Sequence, residues 1–101
     1  MDITQLIADS KGFEWDDGNA SKSWLKHTVA PYESEQVFYN KPLLLLHDEK
    51  HSTAEQRYAA MGKTDAGRLL FIVWTYRNRS IRIISARPMN AKERKMYGEE
   101  A

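Results

Sequence analysis

The chain has 101 residues, enough for one hydrophobic core but not two, and its 42% hydrophobic and 29% charged residues are ordinary globular material. It has no cysteine, which excludes both a disulfide framework and a thiolate zinc site, and no cofactor is expected. The net charge of +1 hides a polarity: Arg57 to Tyr97 hold ten basic and two acidic side chains, net +8, while the remaining residues hold five and twelve, net −7.

Such a split presents a basic surface to polyanions, with an acidic part that can fold back over it, meet a basic partner or keep the protein soluble. The longest apolar run, Leu69 to Trp74, has six residues, far short of a membrane span, so no membrane partner is expected. Residues 1–12 show no basic region followed by a long apolar one, so the reading is a single cytoplasmic domain over 1–101 with no secretory signal.

In chain order, the segment from Met1 to Ile7 extends a strand or a helix without choosing between them. Phe13, Glu14 and Trp15 read as a short strand. Asp16 is a credible N-cap for a helix from Asp17 to about Lys26, despite Gly18 in its first turn; Ala20, Trp24 and His27 would then share one face. Pro31 opens a second helix running to Phe38, with Glu33 and Glu35 near its positive end and Val37 and Phe38 as core anchors. Leu43 to Leu46 reads as a buried strand. The cluster His47, Asp48, Glu49, Lys50, His51 after it has ligand-type side chains but no spacing with a known metal mechanism, so it reads as an exposed loop and no metal site is expected.

Gln56 to Met61 forms the next strand. Thr64 to Gly67 reverses it, and Arg68 to Tyr76 forms a central strand apolar on both faces. Arg77 to Ser80 is a second reversal, with Asn78 suited to positive φ. In Ile81 to Arg87, period-two alternation sets Arg82 opposite Ile81, Ile83 and Ser85, with Ile84 and Ala86 as its neighbours on the same face. Pro88 ends that ladder, and Asn90 with Glu93 three residues on makes a capping box for a basic helix carrying Lys92, Arg94, Lys95 and Tyr97. The expected fold is α+β: a mostly antiparallel sheet of four or five strands, N-terminal helices on one face and a short C-terminal helix.

These residues resemble the BrnT toxins of bacterial type II toxin–antitoxin pairs, whose fold is similar to that of RelE-type ribonucleases. The markers are Phe13, Glu14, Trp15, Asp16; Lys26, His27, Val29; Glu33, Glu35, Val37, Phe38; Glu55, Arg57, Tyr58, Gly62; Gly67, Arg68; then Arg82, Ile84, Ser85, Ala86, Arg87, Glu93, Arg94 and Tyr97. Thr28, Ser23 and Ala30 depart from the pattern, where a glycine, an asparagine and a serine are usual. The resemblance implies a small RNA endonuclease that blocks translation. It implies neutralisation by a BrnA-like ribbon-helix-helix antitoxin, through which alone operator DNA is met.

A metal-free ribonuclease needs a base for the ribose 2′-OH, cations for the charge that builds on phosphorus, and a proton for the departing 5′-oxygen. Arginine suits the second task because its fork matches two phosphate oxygens. His27, Arg57 and Arg82 are the catalytic candidates, His27 because its ordinary pKa of about 6.5 lies near working pH. Trp15, Lys26, Arg77, Arg79, Arg87 and Arg94 are the candidates for RNA contact, whereas Trp24 and Trp74 read as core. The competing reading is a non-catalytic module that binds nucleic acid or antitoxin.

Overall fold

A computed structural model describes residues 2–51 and 54–100; Met1, and the side chain of His51 at the end of the polar cluster, lie outside the described part. The elements are α1 (Ile3–Asp9), β1 (Phe13–Glu14), α2 (Lys22–His27), α3 (Pro31–Tyr39), β2 (Leu44–His47), β3 (Arg57–Lys63), β4 (Leu69–Arg77), β5 (Ser80–Pro88) and α4 (Ala91–Glu100). The strands make one five-stranded sheet in the order β1-β5-β4-β3-β2, antiparallel except where β1 runs parallel to β5. This is the α+β arrangement expected, with the N-terminal segment resolved as a helix: Asp2 caps α1 by accepting from the Gln5 N–H.

The two sheet faces have different covers. On the first, Val29, Val37 and Phe38 around α3 and Ile3 of α1 pack against Ala60, Leu70, Ile72, Trp74, Ile81, Ile83 and Ala86. Helix α3 lies so close to β3 that a Cβ at Gly62 would stand 2.8 Å from Val37 Cγ1, so glycine here is a packing requirement. On the second face α4 covers one end only: Met89 and Tyr97 bury Met61 against Leu44, Leu46, Leu69 and Phe71. The Tyr97 hydroxyl donates to the Pro42 carbonyl, and burial pushes its pKa up. Among the described residues, the buried contacts of α4 stop short of the other end of this face.

Several sequence readings change. The helix after Asp16 begins only at Lys22: Asp16 turns the chain instead, its carboxylate accepting from the Gly18 N–H while buried Asn19 donates to the carbonyls of Glu14 and Ile83. Those bonds satisfy the backbone locally and compete with a helix. Trp24 is half exposed rather than core, because the shortened helix sits at the edge of β5 and buries none of its residues. Alternation in β5 breaks at a bulge opposite Val73 and Trp74, so Ser85 shares the face of Arg82 while Ala86 turns into the core. Leu44–His47 is a half-buried edge strand, shifted by one residue from Leu43–Leu46. The β4–β5 reversal has positive φ at both Asn78 (53°) and Arg79 (61°), the pattern of a type I′ hairpin turn.

Candidate functional site

Strand register assembles the site. Arg57 pairs with Thr75, Thr75 with Arg82 and Arg82 with Glu14, so these residues form one row across β3, β4, β5 and β1 on the second face. Ordinary strand spacing sets the Cα atoms of Arg57 and Arg82, two strands apart, at about 10 Å. The next row, Ala59, Val73 and Ser85, is small, and the bulge opens Ile84 beside Ser85. The row after it, Met61, Phe71 and Arg87, runs under α4. Between the polar row and α4 lies a cleft of about 370 Å³, lined by Lys22, Asp48, Arg57, Phe71, Val73, Ile84, Ser85 and Arg87.

The acidic part of the chain does fold back on the basic part. Arg82 donates from Nη1 to Glu14 and Asp16, both at 2.9 Å, and from Nη2 to Asp16 at 3.0 Å; its side chain is only 13% exposed. The hydrogen bonds to Asp16 raise the Arg82 pKa, and the guanidinium, with the Gly18 N–H, lowers that of Asp16. Arg77 donates to both oxygens of Glu55 at 2.9 and 3.1 Å and stands 3.8 Å from Glu14. Arg87 makes a bidentate pair with Glu93 at 2.7 and 2.8 Å and stacks 4.6 Å over the Phe71 ring. This pairing lowers the Glu93 pKa and raises that of Arg87. Glu93 also accepts from the Asn90 N–H while Asn90 accepts from the Glu93 N–H, the reciprocal capping box read from the sequence.

The sequence candidates therefore separate into groups. Arg57 and Arg87 line the cleft, and Arg82 and Arg77 stand in the adjoining ion-pair cluster. His27 is exposed at the end of α2 and is not part of the cleft wall; its carbonyl and that of Thr28 accept from Arg68, which also pairs with Glu33. Lys26 is exposed on the same helix. The Trp15 indole donates to Glu35 at 2.6 Å while its ring packs on the first-face core, opposite the cleft. Arg79 donates to the Asp9 carbonyl at the hairpin tip, and Arg94 to the Met89 carbonyl beneath α4.

Asp48 is the main residue missed, and it is not in an exposed loop. It is half-buried in the cleft wall, and its N–H donates to the Arg57 carbonyl, carrying the β2–β3 pairing one step past His47. The signal was available: alternation through Leu44 and Leu46 puts Asp48 on the same face. Lys22 carried no such signal, because only the tertiary position of α2 brings it to the cleft. Among the described residues, no three His, Asp or Glu side chains cluster to hold a metal ion.

Arginines in two rows of one sheet face, a small-residue floor between them and a half-buried carboxylate define a compact α+β protein with a cleft walled mainly by basic side chains. Residues 15–93 match the family model described as ribonuclease toxin, BrnT, of type II toxin–antitoxin system, and the chain belongs to that family. It is thereby a ribonuclease toxin whose counterpart is an antitoxin and whose substrate is RNA. The match spans the turn at Asp16, the Arg57–Arg82 row and the Arg87–Glu93 pair. No curated protein matches the chain. Among the described residues, no helix is long and apolar enough to cross a membrane.

Proposed function

We propose that the uncovered end of the second sheet face is the active site of a metal-independent RNA endonuclease working in the cytoplasm. The observation that carries this reading is the cleft that α4 leaves open, with Arg57 and Arg87 in its walls and Arg82 in the row beside it. RNA enters as a single strand, and a base rests on Val73, Ile84 and the edge of Phe71 while the flanking phosphate meets the guanidinium groups. Arg57 and Arg82 neutralise the phosphorane-like transition state as the 2′-oxygen attacks phosphorus and the 5′-oxygen leaves. His27 is the acid–base candidate by residue type, and Asp48 is the group within the cleft able to take the 2′-OH proton. Lys26, Arg77, Arg79, Arg94 and Trp15 are outer RNA contacts in this scheme, Trp15 the least well placed, since its indole already has a partner. A BrnA-like ribbon-helix-helix antitoxin covers the cleft, and the complex meets operator DNA through the antitoxin.

A second reading has one observation behind it: the Arg82 fork is already filled by Glu14 and Asp16. In that reading the face binds RNA or antitoxin without cleaving. Incubation with RNA separates the two. Products of defined length that grow with time support cleavage, and a stoichiometric, salt-sensitive shift without products supports binding alone. Arg57→Ala should abolish product formation by a folded protein.

A further inference from the structure

Helix α2 is the least explained element of the fold. It has six residues, Lys22–His27, and buries none of them, yet carries Trp24 at 51% and Leu25 at 79% exposure. The helix is nevertheless held firmly. The Ser23 hydroxyl accepts from the Ala86 N–H at 2.8 Å, Thr28 closes the C-terminus in the left-handed conformation, and Arg68 donates to the carbonyls of His27 and Thr28 at 2.9 and 2.7 Å. At 3.6 residues per turn, Leu25 lies about 200° around the axis from Ser23, so it points outward. Trp24 falls on one flank of it, Lys22 and Lys26 on the other. No acidic residue occurs between Asp17 and Glu33, so nothing in the segment itself answers those lysines in sequence.

We infer that α2 is the anchor of the antitoxin interface, and that its occupant is an amphipathic antitoxin segment which covers Leu25 and Trp24 with apolar side chains and sets carboxylates against Lys22 and Lys26. Three observations select that occupant. The apolar ridge is pinned in place, so docking costs little ordering. Its charged flank has one sign, which calls for an acidic complement. Lys22 is both the first residue of α2 and part of the cleft wall, so a segment seated on α2 reaches the rim where RNA enters. The inference rests on the cleft as the active site for its consequence, occlusion of substrate, but not for the binding itself.

The test is the double variant Trp24→Ser, Leu25→Ser, measured as full-length toxin against the cognate antitoxin, with thermal melting as the fold control. Antitoxin affinity should fall by roughly 30-fold or more, the loss expected on removing a buried apolar hot spot. RNA cleavage by the free toxin should stay at the wild-type rate, and the antitoxin should no longer suppress it. Unchanged antitoxin affinity overturns the assignment. So does a wild-type dimer that the variant dissolves while antitoxin affinity holds, which would make the ridge a contact between copies, and so does a selective loss of RNA binding. If wild-type toxin fails to cleave RNA but the variant still loses antitoxin, the catalytic reading falls and this interface stands.

Discussion

Glu93 offers the sharpest quantitative test, because one carboxylate both caps α4 and holds a cleft arginine. In Glu93→Gln the amide can still accept from the Asn90 N–H, whereas the charged pair with Arg87 is lost; in Glu93→Ala both go. A hydrogen bond to a charged group contributes roughly 1.5–3 kcal/mol, but the Arg87 side chain is 36% exposed against 13% for Glu93, and solvent screening brings the pair to about 1 kcal/mol. The cap adds about 1 kcal/mol more. Glu93→Gln should therefore lower Tm by about 4–8 °C and Glu93→Ala by about twice that. Since Arg87 holds the Glu93 carboxyl below its ordinary value of 4.5, the contribution is fully present above that value. It should be lost as pH falls through the depressed folded value, where the wild-type and Glu93→Gln melting curves converge. Release of Arg87 into the cleft should also steepen the salt dependence of RNA affinity by about 0.7 in log–log slope, one additional phosphate contact to a single strand. Melting at pH 7 indistinguishable from wild type, with no convergence in acid, would refute the pairing argument; an unchanged slope would remove Arg87 from the phosphate site.

Arg82→Ala should lose both activity and stability, because Glu14 and Asp16 are left without their cation, and Arg82→Lys should recover more of the stability than of the cleavage rate; a folded, fully toxic Arg82→Ala protein ends the catalytic assignment. RNA cleavage should survive a chelator, and a substrate with a single 2′-deoxy nucleotide at the scissile position should resist it; inhibition by EDTA reversed by added divalent ion would contradict the arginine mechanism. Gly62→Ala should destabilise by about 1–3 kcal/mol through the clash with Val37, read as a shifted urea midpoint with unchanged slope, and a neutral result would mean α3 moves away freely.

What was legible in the sequence followed from short-range rules. Pro31 with Glu33 and Glu35 behind it marked α3, the apolar run marked β4, the β-branched run marked β5, the turn residues on either side of β4 set the hairpins, and Asn90 with Glu93 announced α4. Three features were hidden for identifiable reasons. The β5 bulge leaves no mark in the run Ile84 to Ala86, which holds no charge to fix a face, so the swap of Ser85 and Ala86 was invisible. The Asp16 turn depends on Asn19 reaching the Ile83 carbonyl, 64 positions away. The parallel pairing of β1 with β5 likewise joins segments with no local connection, and it places Glu14 beside Arg82. Of the candidate site, Arg57, Arg82 and Arg87 were readable as basic strand residues; that they share one face of the sheet, in rows on either side of a small-residue floor, was not.

The ion pairs alter what the charge split means. Among the described residues, at least four of the ten basic residues between Arg57 and Tyr97 form ion pairs with carboxylates: Arg68 with Glu33, Arg77 with Glu55, Arg82 with Glu14 and Asp16, and Arg87 with Glu93. All but Glu93 come from the acidic part of the chain, so the polarity seen along the sequence is partly cancelled in space. A phosphate taking up both arms of the Arg82 fork must displace Asp16, whose side chain is 58% exposed, while Glu14 at 31% holds the guanidinium from the neighbouring strand. Such an arrangement disfavours indiscriminate binding to polyanions and favours a ligand that enters the cleft deeply enough to replace a carboxylate with a phosphate. It also relieves the self-repulsion of the arginines within the chain. An antitoxin then need not neutralise the whole basic segment. It has only to hold the rim of the cleft, where the exposed lysines and the apolar ridge of α2 already stand together.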